Sequence, residues 1–450
     1  MSIWLQLLFV IALISGGGWA FRYMGQTLTK NAPFYRDMPF AVAFGYAFGA
    51  AILIWIASIY YVARTAEAAE ANKYFFVRVA IEGFVAFAII AYYFRAAGVY
   101  LGSESSRKLF RSMPLTAAFG IITILFYAFL AIFAGQVSAA TIVVLAVVGV
   151  PICIYAQSNF RPDSAKSVMA IVGAILLTFI VMYFVGPLAP YGQEDIFSAA
   201  NVVPGGDPTI GGDPDFPLGT DQIGRDILSR LIYGAQNTVG IAFATTILAF
   251  LIGASLGFLA ATIGGWFDQA ISRTVDVMMA IPSLIFALLL MTIASAWAGS
   301  ESGLLTVYMV IIIAVIDSTR VFRLARAVGL NIVVMDYIEA AKLRGEGMGY
   351  LIFREILPNA TAPLLAEFGL RFCFVFLTIA SLSFLGVGIQ PPLADWGTMV
   401  KDLSQFINFA AFAPQVAAAP LLAASAIALL TVAVNFVVDW MLHKSSGLKE

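Results

Sequence analysis

Few side chains in this chain could make or break bonds. One histidine, His443, stands near the C-terminus, and the two cysteines, Cys153 and Cys373, each sit inside an apolar run. Cysteines so placed read as small buried hydrophobes, not as a disulfide or a metal site. No G-x-x-x-x-G-K-[ST] phosphate loop, H-E-x-x-H pair or G-x-S-x-G elbow occurs. The chain is therefore expected to be no enzyme, to hold no metal and to need no cofactor. What remains are charges in apolar surroundings: Arg78 with Glu82, Glu367 with Arg371, and Asp317 and Asp439 near the ends of apolar runs. Each charge inside a membrane costs about 2.5–3.5 kcal/mol on insertion scales, so it faces a partner or a cavity. The four-residue spacing of the first two pairs lets each close an ion pair on one helix face, a structural role.

The densest informative grouping lies between residues 319 and 365. Its middle reads Asp336-Tyr337-Ile338-Glu339-Ala340-Ala341-Lys342-Leu343-Arg344-Gly345, and Leu357-Pro358-Asn359 follows. The pattern predicts a short helix, a glycine break, a second helix and a proline stop. Asp336 is placed to cap the first helix, with Glu339 at capping-box spacing. Ala340 and Ala341 allow a partner surface to come close, and Gly345 permits a turn that a side chain would resist. Tyr350-Leu351-Ile352-Phe353 is too apolar to be solvated, so it lies against membrane, bundle or partner. A second grouping, Thr220, Asp221, Gly224, Arg225 and Asp226, precedes an apolar run. Thr220 or Asp221 is expected to cap an amphipathic helix carrying Ile223, Ile227, Leu228 and Leu231 along the bilayer surface.

The elements that hold these groups are set by composition. Of 450 residues, 61% are hydrophobic and 11% charged; soluble domains carry about 25% charged residues. Mean hydropathy is +0.92, and the net charge of −1 gives no basis for nucleic-acid binding. Crossing roughly 30 Å of hydrocarbon takes about 20 apolar residues. By that rule about eleven stretches are expected to span: 3–20, 39–62, 75–93, 114–134, 138–156, 167–186, 238–262, 276–297, 304–318, 366–388 and 417–441. The fold class is thus all-α, a polytopic membrane helix bundle. Basic residues favour the cytoplasmic side, and the most basic connection holds Arg320, Arg323, Arg326, Lys342, Arg344 and Arg354. Counting from it puts 21–38, 94–113, 157–166 and 263–275 on the cytoplasmic side. The Asp-, Gly- and Pro-rich stretch 187–237 and the stretch 389–416 fall outside. Gly253-x-x-x-Gly257 and Gly45-x-x-x-Gly49 offer close helix approach.

Glu339-Ala340-Ala341, the spacing to Gly345 and then Leu357-Pro358-Asn359 resemble the EAA loop of ABC-importer permeases. Two further stretches resemble the dipeptide, oligopeptide and nickel group of that family. One runs through Leu218-Gly219-Thr220-Asp221, Gly224-Arg225-Asp226 and Gly234; the other through Ser381-Leu382-Ser383-Phe384-Leu385-Gly386-Val387-Gly388, Pro391-Pro392 and Asp395-Trp396-Gly397. The resemblance implies a type I permease core of about six spans over 167–445, with the transmembrane region at 236–441 and a coupling loop at 335–358. It implies that Glu339, Ala340, Ala341, Gly345, Leu357 and Pro358 couple to an ATPase, and that Thr220, Asp221, Gly224, Arg225 and Asp226 form an external interface helix. The implied partners are a second homologous permease, two ATP-binding subunits, a periplasmic solute-binding protein and membrane lipid. The implied task is import of peptides or related small solutes across the bacterial inner membrane. Gln236 and Asn237 depart from the family pattern, where a basic residue is expected. Residues 1–160 add about five spans that the typical member lacks, and the resemblance says nothing of their role. The rival reading, an ion-driven secondary carrier or channel, would work without an ATPase and would show internal repeats with broken helices; none is evident.

Overall fold

The computed structural model describes residues 3–28, 38–65, 72–101, 104–159, 162–299 and 302–445. Among these the chain is helical, with no strand beyond two isolated bridges in the stretch before residue 227. Packing divides it into two units, Met1–Gly83 and Phe84–Glu450.

In the first unit α1 (Ile3–Leu28) packs against α2 (Phe40–Thr65). A Cβ on Gly18 would come within 3.1 Å of the Phe44 backbone, so that glycine sets the approach. Gly45 and Gly49 meet nothing within 4 Å among the described residues, and so are not the close contact that their spacing suggested. The divide falls inside α3 (Phe75–Leu101), where Arg78 places its guanidinium 5.6 Å from the Phe75 ring.

The second unit continues through α4 (Glu104–Ser112), α5 (Leu115–Phe133), α6 (Ala139–Asn159), α7 (Pro162–Val185) and α8 (Ile227–Gly234). It goes on through α9 (Gly240–Ile263), α10 (Gly265–Ala280), α11 (Ser283–Ala298) and α12 (Ser302–Val333). It ends with α13 (Asp336–Leu343), α14 (Leu357–Phe384), α15 (Trp396–Leu403) and α16 (Ala418–Ser445). The core lies between α9, α12, α14 and α16, with α5 laid along α16. Small residues bring the helices together. A Cβ on Gly253 would sit 2.5 Å from the Ser318 carbonyl, and one on Gly257 2.7 Å from the Ala325 methyl. Gly120 of α5 likewise faces the Ala433 carbonyl of α16, at 2.4 Å from its would-be Cβ. Where lipid tails provide no hydrophobic drive between helices, such backbone proximity supplies dispersion contact instead. Hydroxyls in these helices satisfy themselves on the preceding turn, as Thr246 does on the Ala242 carbonyl at 2.7 Å and Thr431 on that of Ile427 at 2.9 Å.

Among the described residues, six helices are long and apolar enough to cross a membrane: 75–100, 115–133, 227–263, 303–333, 348–384 and 414–444. A seventh arises if α10 and α11 are one broken span. The stretches 42–58, 139–154 and 171–185 are shorter apolar helices.

Several boundaries differ from expectation. The stretch 276–297 is not one helix: α10 and α11 meet at 92°, because Pro282 holds Ile281 in extended conformation (φ −89°, ψ 131°). The run at 304–318 continues as helix to Val333, so residues 319–333 of the predicted cytoplasmic connection belong to the same spanning-length helix. Pro358 stops nothing: it lies in the first turn of α14, where a missing N–H is tolerated. A π-type stretch, Leu351–Ile356, precedes it and carries the helix through. Likewise α8 is no separate surface helix, since a π turn at Ala235–Val239 joins it to α9 in a single 37-residue run.

Candidate functional site

The elbow between α12 and α14 is built on a buried floor. Ile338 and Ala341 of α13 are wholly buried among Phe258 of α9, Ala325 and Ile332 of α12, and Leu351, Ile352 and Ile356 of the π stretch. Helical spacing turns the intervening residues outward, so Glu339, Ala340, Lys342, Leu343 and Arg344 are exposed, Leu343 by 83%. Val334, Met335, Tyr337, Met348 and Phe353, the last 70% exposed, add an apolar rim to the same elbow.

The helix ends as its glycine predicts. Gly345 takes φ +78°, its N–H bonds to the Lys342 carbonyl at 2.9 Å, and the Glu346 N–H bonds to that of Ala341 at 3.2 Å. That pair of bonds is a Schellman motif, which needs a left-handed residue at Gly345. The start of the helix differs from expectation. Met335 (φ −79°, ψ 144°) is the N-cap, with no side-chain cap bond. Asp336 is already the first helical residue, so it caps nothing; with Glu339 it places negative charge in the positive first turn. Among the expected coupling residues, Glu339, Ala340, Gly345 and Pro358 share the exposed surface. Ala341 is buried in the chain's own floor and Leu357 is half-buried, so both position the elbow rather than present themselves to a partner.

At the other end of α9 the second grouping is a turn and a cap, not a helix. Thr220 donates its hydroxyl to the Ala199 carbonyl at 2.6 Å and accepts from the Val202 N–H at 3.0 Å. The Asp221 carboxylate accepts from the Ile223 and Arg225 N–H groups at 3.1 and 2.9 Å, and from Arg225 Nε at 2.6 Å. Gly224 (φ +85°) faces the Phe197 carbonyl so closely that a Cβ would lie 2.0 Å away. The cap of α8 is Asp226, whose carboxylate accepts from the Ser229 N–H at 2.8 Å. It takes that role because Thr220 and Asp221 are already committed to folding the preceding loop.

A partly buried polar network that sequence reasoning missed joins the two loops at this end. Gln193 Oε1 accepts from Asn237 Nδ2 and from the Ala394 N–H, both at 3.0 Å, and Asn237 also donates to the Ala394 carbonyl at 2.7 Å. Thr238 donates to Asp395 at 2.7 Å, and Asp395 in turn caps α15 by accepting from the Thr398 N–H at 2.8 Å. Trp396 is fully buried and donates Nε1 to the Leu231 carbonyl at 2.9 Å, its ring lying between Tyr127 of α5 and Phe376 of α14. Asn237, which departs from the family pattern, is thus the residue that ties the π turn to both loops. Burial pushes the Asp395 carboxyl above the usual carboxylate range, although its hydrogen bonds work the other way.

Within the bundle Arg371 of α14 reaches Glu367 at 2.7 Å and Asp317 of α12 at 3.7 Å, with the Phe374 ring 4.6 Å from its guanidinium carbon. The expected Glu367–Arg371 pair therefore forms and takes in Asp317, an ion-pair contact between the two helices that flank the elbow. No group of three metal-ligating side chains occurs among the described residues.

Comparison with known proteins gives a family match and similarity to named transport permeases. The family described as binding-protein-dependent transport system inner membrane component matches residues 253–444. The dipeptide transport system permease protein DppC of Escherichia coli K12 is 36% identical over 246 residues, which is 54% of this chain and 78% of that protein. The oligopeptide transport system permease protein OppC of Bacillus subtilis is 31% identical over 247 residues, covering 55% of this chain and 75% of that protein. The glutathione transport system permease protein GsiD of Pectobacterium atrosepticum is 31% identical over 249 residues, covering 55% and 77%.

Proposed function

The chain belongs to the family of binding-protein-dependent transport inner-membrane components, and on that premise we propose that it is the permease subunit of an ABC importer carrying peptides from periplasm to cytoplasm. It is a multi-pass protein of the bacterial inner membrane and not an enzyme. Peptide-like cargo is supported by relatives named for dipeptides, oligopeptides and glutathione; the nickel branch of the expectation is left without support. Family membership sets aside the ion-driven carrier.

The engine is a pair of separate ATP-binding subunits, and a second homologous permease completes the pathway. The single observation that carries the coupling role is the elbow: an exposed Glu339–Ala340 surface with an apolar rim, standing on a floor shared with α9, α12 and α14. A partner gripping Glu339, Ala340 and Leu343 moves that floor as one piece, because Ile338 and Ala341 are packed into it. Closure of the ATPase pair then displaces α12 and α14 together, and the Arg371–Asp317 contact keeps them from sliding apart. A periplasmic solute-binding protein docks on the loops around residues 187–226 and 385–416, which the Gln193–Asn237–Ala394 bridge holds in one surface.

The test is ATP hydrolysis by the assembled importer with peptide-loaded binding protein. Glu339→Ala and Leu343→Asp are expected to insert normally and to lose about tenfold or more of the stimulated rate, a loss of roughly 1.4 kcal/mol or more at the interface. Stimulation at the unmodified level in both variants rejects the coupling surface.

A further inference from the structure

A polar cavity that coupling does not use lies on the membrane flank of the same end of the molecule. It occupies about 440 Å³ between α10 and α12 and is lined by Asp268, Ser272, Arg273, Asp276, Arg323 and Arg326, among others. The 92° bend at Ile281–Pro282 makes this cavity possible. If α11 follows the membrane normal, α10 lies in the membrane plane. Its polar residues Asp268, Gln269, Ser272, Arg273 and Asp276 recur at helical spacing on one face, and Trp266, 80% exposed, stands at its start. Interfacial helices show this arrangement, and tryptophan favours headgroup depth.

The cations differ in how they are engaged. Arg326 grips Asp268 with both arms of its fork, which spends both charges on each other. Arg273 touches Asp276 at 3.6 Å in an exposed pair of little strength. Arg323 is exposed and donates to the Met279 sulfur at 3.7 Å, a weak acceptor for a guanidinium. Three arginines against two aspartates leave the lining with one positive charge in excess, and a phosphodiester supplies one negative charge. Guanidinium forks suit phosphate oxygens, and basic pockets between spans on the cytoplasmic side are suited to anionic lipid.

We propose that the cavity between α10 and α12 holds the phosphate of an anionic phospholipid of the cytoplasmic leaflet, with Arg323 and Arg273 as its ligands. The Arg326–Asp268 pair is the positioning element that fixes α10 against α12 and keeps the cavity open. The leaflet rests on the same sidedness as the proposed function, but lipid retention is measured without transport, so either can fail alone.

The assembled importer is exchanged into equal parts phosphatidylglycerol, phosphatidylethanolamine and phosphatidylcholine, and bound lipid is counted by mass spectrometry of the intact complex. Phosphatidylglycerol is expected to be held preferentially, and Arg273→Gln with Arg323→Gln to weaken its retention about tenfold. Arg323→Lys keeps most of the retention and shows that the site tolerates substitution, and Asp276→Asn strengthens it by removing a competing carboxylate. Glu339→Ala leaves retention unchanged. Equal retention of the three lipids, or no change in the double variant, overturns the proposal. Displacement of the lipid by millimolar inorganic phosphate overturns it in favour of a free-anion site, and loss of the ATPase subunits from the double variant in favour of a protein contact.

Discussion

Asp395 shows how one side chain can join two distant segments at an energetic cost. It is buried, yet three donors from Thr238 and Thr398 converge on it. Its carboxyl titrates above the value it has in an unfolded chain. A group shifted upward contributes most to stability below its unfolded value, and that contribution fades as pH rises through the folded value. The window therefore opens near pH 4 and extends upward. Asp395→Asn removes the ionisation; with its oxygen turned to the Thr398 N–H, its NH2 faces the Thr238 hydroxyl, which can then no longer donate to this side chain. It is expected to flatten the rise of thermal stability seen on acidifying from neutral pH towards that window, and to lower stability by about 1–3 kcal/mol throughout. Melting curves of the assembled importer from pH 4 to 8 check both effects. The local sequence marks Asp395 as part of a family-like stretch, but nothing in it announces the bridge that Asp395 makes. Its partner Thr238 stands 157 positions away, and Gln193 meets Ala394 across 201. Apolar length and glycine spacing are local signals; a polar bridge that closes only in three dimensions is not.

At the scale of elements, apolar runs marked where helices lie but not where they start, bend or continue. Hydropathy reads α12 as ending near residue 318 because Arg320, Arg323 and Arg326 follow. The helix goes on, since Arg326 is matched by Asp268 and Arg320 lies 5.6 Å from the Phe374 ring. Pro358 reads as a stop, but the wide turn before it lets the helix pass. The glycine pairs divide in the same way. Gly253 and Gly257 touch α12, while Gly45 and Gly49 touch nothing described, because spacing shows only that one face is small, not that another helix faces it. Gly257→Val is accordingly expected to force α9 from α12 and cost about 1–3 kcal/mol, as overpacked cores do. Gly49→Val is expected to change stability by less than about 0.5 kcal/mol. Thermal unfolding of the two variants in the same detergent checks the contrast.

For the whole molecule, the packing divides at Gly83, whereas the expected N-terminal addition ran to residue 160. The two differ by residues 84–160, which hold most of α3 with α4, α5 and α6; of these α5 is the one whose Tyr127 ring lies 5.2 Å from that of Trp396 and whose Gly120 abuts α16. Removing residues 1–74, ahead of α3, is expected to leave the importer assembled and active. Removing residues 1–160 strips Tyr127 from Trp396 and exposes the face of α16 that Gly120 covers, so loss of the folded permease core is expected. Yield of assembled complex on size-exclusion chromatography, followed by peptide uptake, distinguishes the two. Equal yields would show that α5 is dispensable despite its contacts.

The wide turns at Ala235–Val239 and Leu351–Ile356 set the rotational phase of the two longest helical runs. Each holds about one residue more than an ordinary turn, and one residue corresponds to about 100° of azimuth and 1.5 Å of advance. Taking a single residue out of Leu351–Phe353 would wind that run back to regular pitch. The elbow ahead of Leu351 would then be driven to swing around the axis of α14, lifting Ile338 and Ala341 off their floor. The orientation of the elbow is thus stored in a count of residues in one loosened coil as well as in the packing of Ile338 and Ala341.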